Sequence, residues 1–250
     1  MNPQKGAATH GKTGIDDSFL ARQRLLVIAP HADDEVAGAG GLMWRVKEAG
    51  GEVFVMVLSI GNLDHYDNKD GMVASRTRRD ELADAMNLLK VDDFDVVLDD
   101  DHLHLRLDTL PRRDLVHHIE RGSRLATDKV QPTMVVLPAP SYNQDHEALY
   151  FAGITACRPH LATMKAFQRF VLVADAPQLA WGSQPFHPNF YVDISGCLDR
   201  KLEAFRCHRS QQRPSPHQGG ADAIEFLARA RGREISVEAA EAFSCMRFVV

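Results

Sequence analysis

The sequence predicts an α/β fold that is built on a mostly parallel β-sheet. Short apolar segments alternate with helical segments at least four times along the 250 residues. The apolar segments are hydrophobic on both faces, which is typical of strands buried between two helical layers. Turn signals such as Gly50-Gly51 separate these segments. The chain is long enough to bury a substantial core as one large domain.

The first part of the chain contains four predicted strands, and each is followed by a predicted helix. The strands are the segments 24–29, 52–59, 94–98 and 133–138. The helices are predicted at 35–49, at 76–90 with Ser75 as the N-cap, from Pro111 to about Asp128, and at 145–157. Because the strands are predicted to be parallel, all four carboxyl strand ends meet at one edge of the sheet.

The second part of the chain is predicted to extend the same sheet. Strands are predicted at 169–175 and 190–194, helices at 197–211 and 221–234, and an edge strand within 245–250. No internal repeat, low-complexity tract or linker interrupts this region, so residues 20–250 are predicted to form a single domain. Residues 1–19 are predicted to be a flexible N-terminal extension.

Composition and charge argue against several classes of function. The formal net charge is −5, and Lys and Arg are scattered along the chain, which disfavours a nucleic-acid partner. No apolar run approaches the roughly 20 residues that span a bilayer, and the N-terminal segment lacks a signal-peptide core. The four cysteines show no CxxC spacing and are expected to be free thiols. These features predict a cytoplasmic protein without a membrane span.

The segment directly after the first predicted strand concentrates ionisable residues. It reads HADDE at 31–35, at the sheet edge where ligands of open α/β sheets bind. Acidic residues would also complement a helix N-terminus, but this explanation leaves His31 unused. A phosphate-binding loop is disfavoured, because no GxGxxG opens the turn and carboxylates repel phosphate. Imidazole and carboxylate are typical zinc ligands, so a metal site with a neighbouring aspartate as base is favoured.

A third ligand is predicted in the turn after the fourth strand. His146 follows this strand and precedes a helix, as His31 does after the first strand. Parallel strands bring both turns to the same edge, which favours a site of His31, Asp34 and His146. An alternative pair of ligands is His102 and His104, which an extended segment would place on one side.

These motifs resemble those of the PIG-L/LmbE-like family of zinc-dependent N-acetylglucosaminyl deacetylases. The segment PHADDE at 30–35 is similar to the AHPDDE signature after the family's first strand, and NQDH at 143–146 is similar to its HxDH signature. Two further segments match, RRDELADAMNLLKV at 78–91 and the pattern K-x-x-A-x-x-x-H-x-S-Q at 201–211. The resemblance runs from about residue 24 to the end and implies a Rossmann-like, three-layer LmbE-like fold.

The resemblance also implies roles for individual residues. It implies that His31, Asp34 and His146 bind Zn²⁺ or another divalent ion, and that Asp33 is the general base. Asn143 stands where the family has a histidine that stabilises the oxyanion. An asparagine can donate a hydrogen bond to an oxyanion, but it cannot carry a positive charge.

Several other residues are expected near this site. Asp145 is expected to orient His146 or Asn143. Candidates for substrate contact are Arg78, which could hold a hydroxyl or phosphate group, Asp101 or its neighbour Asp100 at a predicted strand end, and His208 through the resemblance. Glu35 is expected to cap the first helix.

The leading hypothesis is a zinc-dependent hydrolase that removes an N-acetyl, or another N-acyl, group from an amino sugar or its conjugate. In this hypothesis Asp33 activates a water on the metal. The alternative is a catalytically impaired sugar- or nucleotide-binding module, which Asn143 leaves open. A nucleotide-dependent transferase is a third possibility, which the missing glycine fingerprint disfavours. The expected partner is a small N-acetyl amino sugar, and the chain could form a homo-oligomer.

Overall fold

The computed structural model describes residues 17–64, 71–181 and 185–250. Its centre is a seven-stranded sheet with the strand order β3-β2-β1-β4-β5-β7-β6. The strands are β1 (Arg24–Ala29), β2 (Glu52–Ile60), β3 (Asp93–Asp99), β4 (Met134–Pro138), β5 (Phe170–Ala174), β6 (Phe190–Asp193) and β7 (Ala240–Phe248). Strands β1 to β5 are parallel, whereas β7 pairs antiparallel with β5 and β6. The predicted mostly parallel α/β fold is confirmed.

Helices cover both faces of the sheet. They are α1 (Asp17–Ala21), α2 (Asp34–Ala49), α3 (Ser75–Leu88), α4 (Arg112–His117), α5 (Thr127–Val130), α6 (Gln144–Ala156), α7 (Leu198–Cys207) and α8 (Ala221–Glu234). One face of the sheet packs against α2, α3, α7 and α8, and the other packs against α4, α5 and α6. The result is a three-layer arrangement.

The central strand β1 shows why the buried strands have continuous apolar sequences. Leu25 and Val27 belong to the core on one face of the sheet, and Leu26 and Ile28 belong to the core on the other. A strand that is buried on both faces cannot alternate between apolar and polar residues. The ionisable residues therefore begin only where β1 ends, after Ala29.

Helix α2 is interrupted at Ala39, whose φ of −144° and ψ of 15° are not helical. A buried ion pair supplies the hydrogen-bond partners that the interrupted helix lacks. The backbone N–H groups of Gly41 and Leu42 each donate to the Glu241 carboxylate at 2.7 Å. The ammonium group of Lys201 donates to Glu241 at 2.6 Å and to a backbone carbonyl of α2 at 2.8 Å. Both side chains are buried, so this ion pair satisfies backbone groups at the helix interruption that water cannot reach.

Two predicted helices differ from the structure in their details. Helix α3 begins at Ser75 itself, so the N-cap is Ala74 rather than the predicted Ser75. The single helix predicted from Pro111 to Asp128 is instead α4, a π-helical turn over His118–Gly122, and α5. Glycine has a low helix propensity, and the chain becomes extended directly after Gly122.

Two predictions about the ends of the chain also need correction. The predicted C-terminal edge strand is the longer strand β7, which lies inside the sheet between β5 and β6. The predicted extension includes residues 17–19, but these lie in α1, because Phe19 packs against the core and against the Phe170 ring. The rest of the predicted extension, residues 1–16, lies outside the described residues.

Two predicted chemical features can be compared with the structure. All four cysteines are free thiols, as predicted. Among the described residues, we find no helix with both the length and the apolar character that crossing a membrane requires.

Candidate metal centre and active site

Three predicted ligands from two distant turns meet at the carboxyl edge of the sheet. His31 and Asp34 follow β1, and His146 lies in the first turn of α6 after β4, which is the hydrogen-bonded neighbour of β1. The Oδ2 atom of Asp34 is 3.3 Å from Nδ1 of His31 and 3.2 Å from Nε2 of His146. One potential ligand atom from each residue lies within 4.8 Å of the other two. Two imidazoles and one carboxylate fit a divalent cation.

Asp145 is the residue that orients His31. It is buried, and its Oδ2 atom accepts a hydrogen bond from His31 Nε2 at 2.9 Å, while its Oδ1 atom accepts one from the Leu107 N–H at 2.8 Å. The contact places a hydrogen on Nε2 of His31, while its Nδ1 atom lies against Asp34. The Asp145 side chain therefore contacts His31 rather than the predicted His146, in an orienting position typical of groups behind a metal ligand, and the Asp145 backbone N–H contacts the Asn143 side chain.

The ionisable groups of this cluster shift one another's pKa values. Burial lowers the pKa of His31, but hydrogen bonds to Asp145 and Asp34 outweigh it and raise this pKa to about 9. Burial acts to raise the pKa of Asp34, but His146 and His31 hold it far below its usual range. Asp34 is therefore ionised and able to attract a cation.

Asp33 lies beside the three potential ligands in a constrained backbone conformation. Its φ of 121° falls in the region that favours glycine, and strain of this kind is concentrated at functional sites. Its backbone N–H donates to Oε2 of Glu35 at 2.9 Å. Burial and the charge of Asp34 raise the pKa of Asp33 to about 7. Its carboxyl group can therefore gain and lose a proton near neutral pH.

Glu35 and His208 form a buried pair behind Asp33. The Oε1 atom of Glu35 is 2.9 Å from Nε2 of His208, and both side chains are almost completely buried. Burial lowers the pKa of His208, but the carboxylates of Glu35, Asp33 and Glu81 together outweigh it and raise this pKa. The His208 ring is buried against Glu35, and its contact with substrate stays a prediction. His208 contacts the Glu35 carboxylate, which in turn accepts the hydrogen bond from the Asp33 backbone N–H.

A second buried carboxylate anchors the turn after α7. Both oxygens of Glu81 accept hydrogen bonds from Ser210, one from its N–H at 2.9 Å and one from its hydroxyl at 2.6 Å. This contact fixes the short 3₁₀ turn over Arg209–Gln211 against α3. In the sequence, Glu81 lies in the family-like segment 78–91 and Ser210 in the pattern at 201–211, but neither segment shows that the two meet.

Arg78 and His104 form another buried contact next to the cluster. Nη1 of Arg78 is 2.6 Å from Nε2 of His104 and 3.3 Å from the Gly61 carbonyl oxygen. The His104 ring is edge-on to the His31 ring, with 5.3 Å between centroids. Burial and the charge of Arg78 lower the pKa of His104 to about 3. His102 is exposed, so the alternative ligand pair of His102 and His104 is not formed.

Two further candidates have contacts that fix loops. The side-chain oxygen of Asn143 accepts the Asp145 N–H at 2.9 Å and thereby caps α6. The exposed Asp101 accepts hydrogen bonds from the backbone N–H and the amide Nδ2 of Asn62, both at 2.7 Å. Contacts of Arg78, Asp101 and Asn143 with substrate stay predictions.

Two sequence comparisons show which known proteins this chain is similar to. The sequence model of the family described as "PIG-L: GlcNAc-PI de-N-acetylase" matches residues 26–157. A diacetylchitobiose deacetylase from Thermococcus kodakarensis is 28% identical over 206 residues, which are 79% of this chain and 73% of that protein.

Two solved structures share the fold. The conserved protein TT1542 from Thermus thermophilus superimposes with a TM-score of 0.69 at 25% identity, over 91% of this chain and 96% of that chain. The N,N'-diacetylchitobiose deacetylase from Pyrococcus horikoshii superimposes with a TM-score of 0.66 at 24% identity, over 89% and 83% of the two chains.

The match to the family covers more than half of the chain. It includes both turns that bring His31, Asp34 and His146 together. Deacetylases of this family are metal-dependent amidohydrolases, and the His-Asp-His cluster provides a suitable place for an ion. The chain therefore belongs to the PIG-L (GlcNAc-PI de-N-acetylase) family.

Proposed function

We propose that this chain removes an acetyl, or another acyl, group from the nitrogen of an amino sugar or of a conjugate of one. The observation that carries the proposal is the convergence of His31, Asp34 and His146 around one point, with Asp33 beside them. Membership of a de-N-acetylase family supports this reaction class. The name of the matched Thermococcus protein, a diacetylchitobiose deacetylase, supports an N-acetylated amino sugar as substrate.

We propose that the cation is Zn²⁺, held by His31, Asp34 and His146. Three protein ligands from imidazole and carboxylate are typical of catalytic zinc sites, which keep a further position open. Such an ion, when bound, lowers the pKa of a water and polarises the substrate carbonyl. The same ligands also suit other divalent ions, so metal analysis is part of the test below.

Asp33 is the proposed general base. Its carboxyl group takes a proton from the attacking water and later returns one to the leaving amine. The Glu35–His208 pair contributes by fixing the backbone from which this carboxyl group projects. Asn143 uses its side-chain oxygen to cap α6, so its Nδ2 group is the part that can donate to a substrate oxygen.

The first test measures acetate release by protein that is loaded with Zn²⁺ or with another divalent ion. We expect stoichiometric metal by elemental analysis and acetate release from at least one of a panel of N-acetyl amino sugars and their conjugates. Removal of the ion with a chelator should abolish release, and Zn²⁺ should restore it. Metal-loaded protein that binds these sugars without releasing acetate would instead support the impaired binding module.

A pair of exposed aromatic rings supports a sugar ring as part of the substrate. Tyr142 directly precedes Asn143, and Trp181 lies after β5, the strand next to β4. The two residues are 54% and 79% exposed, and their rings are nearly perpendicular with 6.2 Å between centroids. The Tyr142 hydroxyl also accepts a hydrogen bond from Gln218 at 2.9 Å. Exposed aromatic patches beside a site mark places where ligands pack.

Replacing Trp181 with alanine is expected to raise KM for an N-acetylated disaccharide about 3- to 10-fold and to leave kcat nearly unchanged. The reason is the loss of an aromatic packing surface worth about 1 kcal/mol, away from the reacting atoms. Steady-state kinetics measure the effect. The matched control is Phe226→Ala on α8, a ring that is 76% exposed. An unchanged KM in W181A would argue against this contact.

A cytoplasmic location of the protein and its assembly into a homo-oligomer stay predictions.

A further inference from the structure

We infer that His104 is a positioning residue, which holds the guanidinium group of Arg78 as a fixed hydrogen-bond donor and positive charge for the acyl oxygen. This inference rests on the proposed function. It concerns a histidine that comes after β3, outside both turns that supply the proposed metal ligands.

Both nitrogens of the buried His104 ring are engaged. Nε2 lies 2.6 Å from Nη1 of Arg78, and Nδ1 lies 3.1 Å from the Ser59 hydroxyl. A guanidinium nitrogen can only donate, so Nε2 accepts and the ring hydrogen is on Nδ1, from which it is donated to Ser59. The Ser59 hydroxyl is in turn 3.5 Å from the carbonyl oxygen of Pro30, the residue before His31. These contacts fix one tautomer and one orientation of the His104 ring.

Arg78 has hydrogen-bonding capacity left over. It is 2% exposed, and its Nε atom is buried without a hydrogen-bond partner among the described residues. A buried donor without an acceptor is destabilising, and an oxygen acceptor supplied by a bound substrate would satisfy it. His104, whose Nε2 lies 2.6 Å from Nη1 of Arg78, packs edge-on against the proposed ligand His31 with 5.3 Å between ring centroids. The guanidinium group is therefore close to the proposed reacting atoms.

The chemistry of deacetylation gives this donor a use. Negative charge develops on the acyl oxygen, and donors that are already in place stabilise it. Asn143 is neutral, and its side-chain oxygen is occupied by the cap of α6. Arg78 is permanently charged and presents several N–H groups in a rigid plane. Without His104, its guanidinium group is expected to turn toward the neighbouring carboxylates and lose this orientation.

The test compares two replacements of His104 that differ in hydrogen bonding. Glutamine offers an oxygen that can accept from Arg78, whereas leucine has a similar volume and no acceptor. We expect H104L to lower kcat about 10- to 100-fold, with KM changed less than about 3-fold and metal content unchanged. H104Q should recover most of this loss. In an R78K background, H104L should have little further effect, because the two residues act as one unit.

A spectroscopic readout separates this inference from the proposed function. In the metal-free protein, ¹⁵N NMR should show the Nδ1–H tautomer of His104, and R78K should alter the Nε2 signal. This result is expected whether or not acetate is released, so absence of acetate release from the wild type would overturn the proposed function alone. Equal loss of kcat in H104L and H104Q, additive effects with R78K, or an Nε2–H tautomer would each overturn the inference.

Discussion

Replacing Asp33 with asparagine is expected to lower kcat about 10²- to 10⁴-fold while the bound metal is retained. The amide has nearly the same shape as the carboxyl group but cannot accept the proton of the attacking water. Asparagine restricts the backbone no more than aspartate does, so the conformation at residue 33 should persist. The Glu35 contact should persist as well, because it involves the Asp33 backbone and not its side chain.

Acetate release and elemental analysis on the same preparation measure this effect. The matched control is Asp108→Asn, the same chemical change at an exposed aspartate outside the site. D108N should keep wild-type turnover and wild-type metal content. If D33N kept near-normal turnover, Asp33 would not be the base. If it lost the ion as well, its role would lie in the metal site.

Replacing Lys201 with methionine is expected to lower the free energy of unfolding by about 3–5 kcal/mol. Methionine fills similar space but leaves the Glu241 carboxylate buried without its cation. It also leaves a carbonyl of the interrupted helix α2 without its donor. For a chain of this size, such a loss corresponds to a decrease in Tm of about 10 °C.

Denaturant and thermal unfolding measure the change, with Arg206→Met on the exposed face of the same helix as control. R206M should change the free energy of unfolding by less than about 0.5 kcal/mol. The double variant K201M/E241Q should be less destabilised than the sum of its single variants, because it buries no unpaired charge. Equal effects of K201M and R206M would contradict the importance of the buried pair.

The histidines at the site differ in how much of their role a local sequence pattern can predict. His31 and His146 can be identified because each follows an apolar strand and precedes a helix, and parallel strands bring such turns together. His208 and His104 cannot be interpreted in this way. The family pattern places His208 near the site without showing that it is buried against Glu35. In the sequence His104 is a rival ligand, whereas the fold makes it the acceptor of a hydrogen bond from Arg78.

Asp145 also has a partner that its position in the sequence does not reveal. An orienting carboxylate is expected next to the ligand His146, because the two residues are adjacent in sequence. The structure pairs Asp145 with His31 instead, which is 114 residues away. Adjacent residues at the start of a helix project in different directions, so the neighbour in sequence is not the neighbour in the site.

The sequence by itself determined strands β1 to β6, the edge of the sheet that carries the site, and the three potential ligands. These features follow from local periodicity and from the parallel arrangement, and both can be deduced from short segments. Only the tertiary structure decided the partners of the buried charges and the place of β7 inside the sheet. Each of those contacts joins segments that are far apart in the chain, and packing of the whole core, rather than any local pattern, brings them together.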